Sequence, residues 1–370
     1  MSTIKSLLVA AAVWTAASVT AAQAEILIGV AGPMTGPYAW SGEQFRTGAE
    51  LAVQKINAAG GVLGERVRLI SSDDAADPEQ AVAVANKFVS DGVVFVAGHW
   101  ASGASIAASK VYEQAGILMI SPSSTNPKLT DEGGPNVFRV CGRDDRQGVV
   151  AGDYLADSWA DKKIAILHDG TAYGEGLAEE TRKQLHKRGV SEAIYDAFVP
   201  GKADYSPLVS RMQAAGIDVL YVGGYSAEAG LMVREARDQD YDVQLVSGDG
   251  LSVADFWLIT GPAGEGTLFT FFPDPRDIPT NADLVAEFRA LLGVEPEGYT
   301  LYAYAAVQTW AQAIERTGSL KLDAAIAALR SNEFDTVLGK IAFDAKGDIK
   351  DSGFIWYIWK SGRYVQVEQS

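Results

Sequence analysis

The feature that most constrains this chain is a rhythm. From Ile26 to Val246, short apolar runs alternate with longer amphipathic stretches. Strands are predicted over Ile26 to Ala31, Val67 to Ser71, Val93 to Ala97, Ile117 to Ile120, Ile164 to Leu167, Val219 to Val222 and Val243 to Val246. A run without a polar side must be covered on both faces, which parallel strands connected by helices achieve. Gly42 to Ala59 is predicted to be helical, with Phe45, Ala49, Ala52 and Ile56 on one face. Ser41 and Gln44 give a capping-box pattern at its start, and Gly60-Gly61 ends it. Asp77-Pro78 opens the next helix with an N-cap acid and a first-turn proline. Further helices are expected over Ser102 to Ala115, from Tyr173, and over Ala227 to Arg237.

The rhythm changes later. Ala282 to Leu292, Tyr299 to Thr317 and Leu322 to Arg330 are predicted helices, and alternating stretches at Phe354 to Lys360 and Tyr364 to Val367 close the chain. A length of 370 residues exceeds one ordinary core, so two lobes are expected. The fold class is therefore α/β, with two doubly wound parallel-sheet lobes. In such sheets ligands sit beyond the carboxyl ends of the strands.

Composition narrows the function. A formal net charge of −16 repels phosphate backbones and anionic lipid, so no nucleic-acid partner is expected. Residues 1–24 are predicted to be a secretory signal: Lys5, an apolar run from Leu7 to Ala17, and Ala22-Gln23-Ala24 as the cleavage site. Removing them leaves a charge of −17 and a periplasmic protein. Cys141 is the one cysteine, so an intrachain disulfide is impossible and a plain buried thiol is expected. The three histidines, His99, His168 and His186, are widely spaced and form no metal motif. Phosphate loop, dinucleotide fingerprint and nucleophile elbow are all missing, so neither a cofactor nor an enzymatic activity is expected.

Several stretches carry a resemblance. They are Asp73 to Lys87, Gly98-His99, Ile117 to Pro127, Tyr173 to Leu177, Gly223-Gly224-Tyr225 and Tyr304 to Gln308. Together they resemble the leucine/isoleucine/valine-binding proteins, the periplasmic components of branched-chain amino acid ABC transporters, over essentially the whole mature chain. The resemblance implies the type I periplasmic binding fold, with lobes joined by three crossings. Lobe one would hold residues 25–143 and 272–351, and lobe two residues 144–271 and 352–370. It also implies a small, aliphatic amino acid as ligand, membrane permease subunits as partners and a monomeric state.

Site residues follow from the same resemblance. The ligand carboxylate is assigned to Ser102 and Thr125. Ser102 also starts a helix, where free N–H groups favour an anion. The ammonium is assigned to the Ser123 carbonyl, Asp249 and Tyr225. A buried ammonium needs a counter-charge, and Asp249 stands where the best-known members carry Glu. Tyr173 and Tyr225 are expected to close over the ligand, with Tyr299 beside its side chain and Trp100 and Ser124 completing the pocket. Ser41 replaces a family aromatic, with Trp40 adjacent. The positions of the family disulfide match Ala76 and Ala101. A receptor for another small polar solute, such as an amide, urea or aromatic acid, is the alternative. An exported enzyme using His168 or Cys141 is a third reading.

Overall fold

The structure is a computed structural model that describes residues 25–293 and 295–368. The predicted signal segment, residues 1–24, lies outside the described residues. The chain opens with β1 (Glu25–Gly32), α1 (Ala39–Ala58), β2 (Arg66–Asp73), α2 (Pro78–Asp91), β3 (Phe95–Ala97), α3 (Ser102–Ala115), β4 (Leu118–Ser121), α4 (Lys128–Asp131) and β5 (Val137–Arg139). These strands form one parallel sheet in the order β2-β1-β3-β4-β5. The chain continues with α5 (Asp144–Trp159), β6 (Ile164–His168), α6 (Ala172–Lys187), β7 (Ile194–Ala197), α7 (Ser206–Ala214), β8 (Val219–Gly223), α8 (Ser226–Asp238), β9 (Gln244–Ser247), α9 (Asp255–Thr260) and β10 (Leu268–Phe271). It ends with α10 (Ala282–Leu292), α11 (Thr300–Thr317), α12 (Leu322–Ser331), a hairpin of β11 (Glu333–Thr336) and β12 (Gly339–Ala342), then β13 (Ile355–Lys360) and β14 (Arg363–Gln366).

The second sheet runs β14-β13-β10-β9-β8-β6-β7. Its β6 to β10 are parallel, and β13 and β14 add an antiparallel edge. The periodicities in the sequence explain this division. Every residue of β6 and β8 is buried, as strands covered on both faces require, whereas β13 alternates. The architecture is thus two doubly wound, parallel-sheet lobes joined by three crossings: β5 into α5, β10 towards α10, and β12 into β13. No helix among the described residues is long and apolar enough to cross a membrane.

The late helices return to the first sheet. Trp310 of α11 stacks on Phe95 of β3, with ring centroids 5.2 Å apart and planes 4° from parallel. Burying a ring such as Phe95 contributes roughly 1.5–3 kcal/mol, so this contact anchors a segment that is remote in sequence. Gly48 of α1 permits the approach, because a Cβ there would lie 2.1 Å from the Thr300 carbonyl oxygen.

One expected element begins elsewhere. The first helix starts at Ala39, with Tyr38 at the cap position but its side chain making no capping hydrogen bond. Ser41 is therefore inside the helix and buried, not its cap. Gln44 does not close a capping box; its Oε1 accepts the Tyr299 N–H at 3.2 Å. A long-range partner has taken the side chain that local pattern assigned to the cap. By contrast, Asp77 caps α2 as expected, accepting the Gln80 N–H at 2.8 Å.

Candidate ligand-binding site

Strand order reverses between β1 and β3 in the first sheet, and between β6 and β8 in the second. Loops leaving the carboxyl ends beside these points face each other. The loops after β3 and β4 carry Trp100, Ser102 and Ser123. Those after β6, β8 and β9 carry Tyr173, Tyr225 and Asp249. Together with Gly250, Ser252, Val253 and Tyr299, these residues line one narrow cavity between the two sheets.

On the first-sheet side the donors are held by a buried polar network. His99 is completely buried, with Nδ1 2.6 Å from Asp74 Oδ2 and Nε2 2.8 Å from the Tyr112 hydroxyl. The Ser105 and Ser124 hydroxyls lie 2.6 Å apart, and those of Ser121 and Ser124 both donate to the His99 carbonyl at 3.2 Å. The Ser123 hydroxyl donates to the Trp100 carbonyl at 2.7 Å. These bonds pin the loop after β4 to the start of α3. Ser102 is the first residue of α3, whose cap, Ala101, offers no side-chain bond. Its Oγ accepts the Asn126 N–H at 3.2 Å, which leaves the hydroxyl proton free to donate.

On the opposite side Asp249 is 3% exposed. Its Oδ1 accepts from the Tyr173 hydroxyl at 3.0 Å and its Oδ2 from the Tyr299 hydroxyl at 2.5 Å. Gly248 is required just before it: a Cβ there would lie 2.4 Å from Leu177 and 3.0 Å from the Tyr173 hydroxyl. Burial raises the Asp249 carboxyl above its ordinary range, opposed by the hydrogen bonds from Tyr299, Gln147 and Tyr173. Burial, and then the Asp249 charge, also raise the phenols of Tyr173 and Tyr299, so both remain donors.

Four of the residues assigned from sequence lie off the cavity wall. Thr125 is fully buried, and its hydroxyl makes no well-directed hydrogen bond. Ser124 is held within the network under the site. Ser41 is enclosed in α1, and Trp40 turns its indole towards Glu297.

The structure adds a residue that sequence reasoning missed. Asp144, at the start of α5, is fully buried, and neither carboxyl oxygen has a hydrogen-bond partner. Its N–H donates to the Thr125 carbonyl at 2.9 Å, and the Thr125 hydroxyl lies beside its carboxyl. Burial raises this carboxyl well above its ordinary range, with the Asp249 charge as the next cause. In sequence, Arg143-Asp144-Asp145 resembles any acidic first turn; only the long-range packing singles out Asp144. Cys141, by contrast, is buried with its thiol pushed up, which suits an inert side chain.

Two sheets whose strand ends meet around a narrow cavity, hydroxyls on one wall and a carboxylate on the other, define a protein that captures a small polar solute. The comparisons with known proteins agree. The family described as periplasmic binding protein matches residues 25–360. The Leu/Ile/Val-binding protein homolog 1 of Brucella suis biovar 1 is 48% identical over 352 residues, which cover 94% of this chain and 95% of that relative. Among solved structures, the leucine binding protein LivK from Thermotoga maritima superposes with a TM-score of 0.85 at 26% identity, covering 93% of this chain and 98% of that one. LivJ from Streptococcus pneumoniae, a branched-chain amino acid transporter substrate binding protein in complex with isoleucine, gives 0.83 at 26% identity, covering 93% and 100%. The chain belongs to the periplasmic binding protein family, with the type I fold expected from its sequence. It is a binding protein, not an enzyme, and its family acts outside the cytoplasm.

Proposed function

We propose that this chain captures a small aliphatic α-amino acid between its lobes and delivers it to the membrane permease of an ABC transporter. One observation carries the reading. Ser102 at the start of α3 and Asp249 beyond β9 line opposite walls of the same small cavity. A hydroxyl with first-turn N–H groups suits a carboxylate, and a buried carboxylate suits an ammonium. Asp144 lies off that wall, but its buried carboxyl feels the Asp249 charge, and a cation seated at Asp249 would offset that repulsion. The names of the relatives above point to the same class of solute.

The division of labour follows. Residues 25–143 with 272–351 form the lobe that receives the carboxylate at Ser102, with Thr125 buried behind that wall, and part of the ammonium at the Ser123 carbonyl. Residues 144–271 with 352–370 form the lobe that brings Asp249, Tyr173 and Tyr225 over the ligand. Tyr299 and Trp100 bound the side chain. Residues 1–24 direct export and are removed, and the mature protein works in the periplasm as a monomer.

Calorimetry with a panel of L-amino acids tests this. At least one aliphatic member is expected to bind at micromolar affinity or better, about −8 kcal/mol, while the acid lacking its amine binds at least 100-fold more weakly. A panel in which nothing binds better than millimolar overturns the proposal. The same titrations carry a pH signature. A bound ammonium favours the ionised form of Asp144 and Asp249, so their raised carboxyl values fall on binding and protons are released. Affinity should therefore drop as the pH falls from neutral towards that raised carboxyl range.

A further inference from the structure

Tyr38, the residue before α1, lies outside the wall of the cavity yet touches both sides of its mouth. Its ring centroid lies 5.5 Å from that of Trp100 and 4.9 Å from that of Tyr225. Those two rings line the cavity and are 4.6 Å apart, Trp100 after β3 of the first sheet and Tyr225 after β8 of the second. Tyr38 thus completes a three-ring cluster across the seam. Its hydroxyl lies 3.2 and 3.3 Å from the two carboxylate oxygens of Glu228, in the first turn of α8. Glu228 is 2% exposed and also accepts the Gly201 N–H at 3.1 Å. Burial, and next the Glu228 charge, raise the Tyr38 phenol above its ordinary value, so it remains a donor.

We propose that Tyr38 is a positioning residue that latches the closed cleft to Glu228 and sets the rate of solute release without touching the solute. Opening the cleft draws the loop before α1 away from α8. Both the ring cluster and the charge-assisted bond must then break together. A latch of this kind acts on dissociation and acts equally on every solute. Recognition of the solute's charged ends stays with the cavity residues. Neither local pattern nor the assigned binding residues flag Tyr38, because its partner is 190 positions away.

The test is stopped-flow release of L-leucine and L-isoleucine from wild type, Tyr38→Phe, Glu228→Gln and the double variant; this arm rests on the proposed amino-acid capture. Tyr38→Phe keeps the ring and removes only the hydroxyl. It is expected to speed release about 10- to 150-fold, given the usual worth of a hydrogen bond to a charged group, by the same factor for both amino acids and with association unchanged. Glu228→Gln should speed release by less, and the double variant no more than Tyr38→Phe alone, since the two share one interaction. Unchanged release, factors that differ between the two amino acids, or additive effects of the two substitutions overturn the latch. If wild type binds neither amino acid, the proposed function fails and the latch is decided separately. Spin labels at Asn86→Cys on α2 and Lys183→Cys on α6 then report the distance between lobes without solute. The latch predicts a short-distance population that Tyr38→Phe diminishes. An absent or unchanged short-distance population overturns it.

Discussion

Replacing Asp249 with alanine should weaken amino-acid binding by on the order of 10²–10³-fold, while the unliganded protein still unfolds cooperatively. The size follows from burial. Asp249 is 3% exposed, so an ammonium seated against it has no water to fall back on when the carboxylate is removed. Breaking a buried ion pair by deleting one partner costs about 3–5 kcal/mol. Tyr173 and Tyr299 lose their shared acceptor but remain packed in the cavity wall. Asp249→Asn should bind nearly as poorly as Asp249→Ala, because the charge matters more than the shape. A receptor for an amide or an aromatic acid would respond differently: its solute carries no ammonium, so its binding would largely survive either change. Calorimetry on the two variants with the best-binding amino acid and its amine-free analogue separates the cases.

The second large effect concerns stability. Arg139→Ala should lower the folding free energy by about 3–5 kcal/mol, which corresponds to a fall in melting temperature on the order of 10 °C. Arg139 ends β5 with its side chain completely buried. It donates to Asp348 at 2.6 Å, to the Ser124 and Asn126 carbonyls at 2.6 and 3.0 Å, and to the Thr130 hydroxyl at 2.6 Å. One guanidinium thus ties the loop carrying Ser123 and Thr125 to the crossing between β12 and β13. Arg139→Lys should recover little, since a lysine cannot reproduce the planar fork. Arg188, whose partners Asp153 and Asp157 are on the surface, provides the control: Arg188→Ala should leave the melting temperature unchanged. Differential scanning calorimetry of the three variants measures the contrast, and equal effects at Arg139 and Arg188 would refute it.

Much of the architecture was legible because it rests on local physics. The fully apolar runs at β6 and β8 permitted only strands covered on both faces, and Asp77-Pro78 and Ser102 mark the starts of α2 and α3 as observed. What escaped depends on distant partners. The start of α1 moved to Ala39 because Gln44 serves Tyr299 instead of a cap. The short strands β5, β7 and β10 and the helices α5 and α7 have weak or mixed patterns; neighbouring elements define them. In the site, Ser102, Ser123, Tyr173, Tyr225, Tyr299 and Asp249 were assigned from the family resemblance, and these six line one cavity. Asp144 could not be assigned, since no local signal separates it from the solvated Asp145 beside it. Trp40 and Ser41 were drawn in by position alone, and the helix that encloses Ser41 turns it away from the cavity.

The most direct measurement is a crystal structure of the mature protein grown with the amino acid that binds it best. Density for that amino acid should have its carboxylate within hydrogen-bonding reach of the Ser102 hydroxyl and the first turn of α3, and its nitrogen against Asp249 with Asp144 close behind. A solute lying elsewhere, or one seated in this cavity with its nitrogen turned away from both acids, would contradict the account.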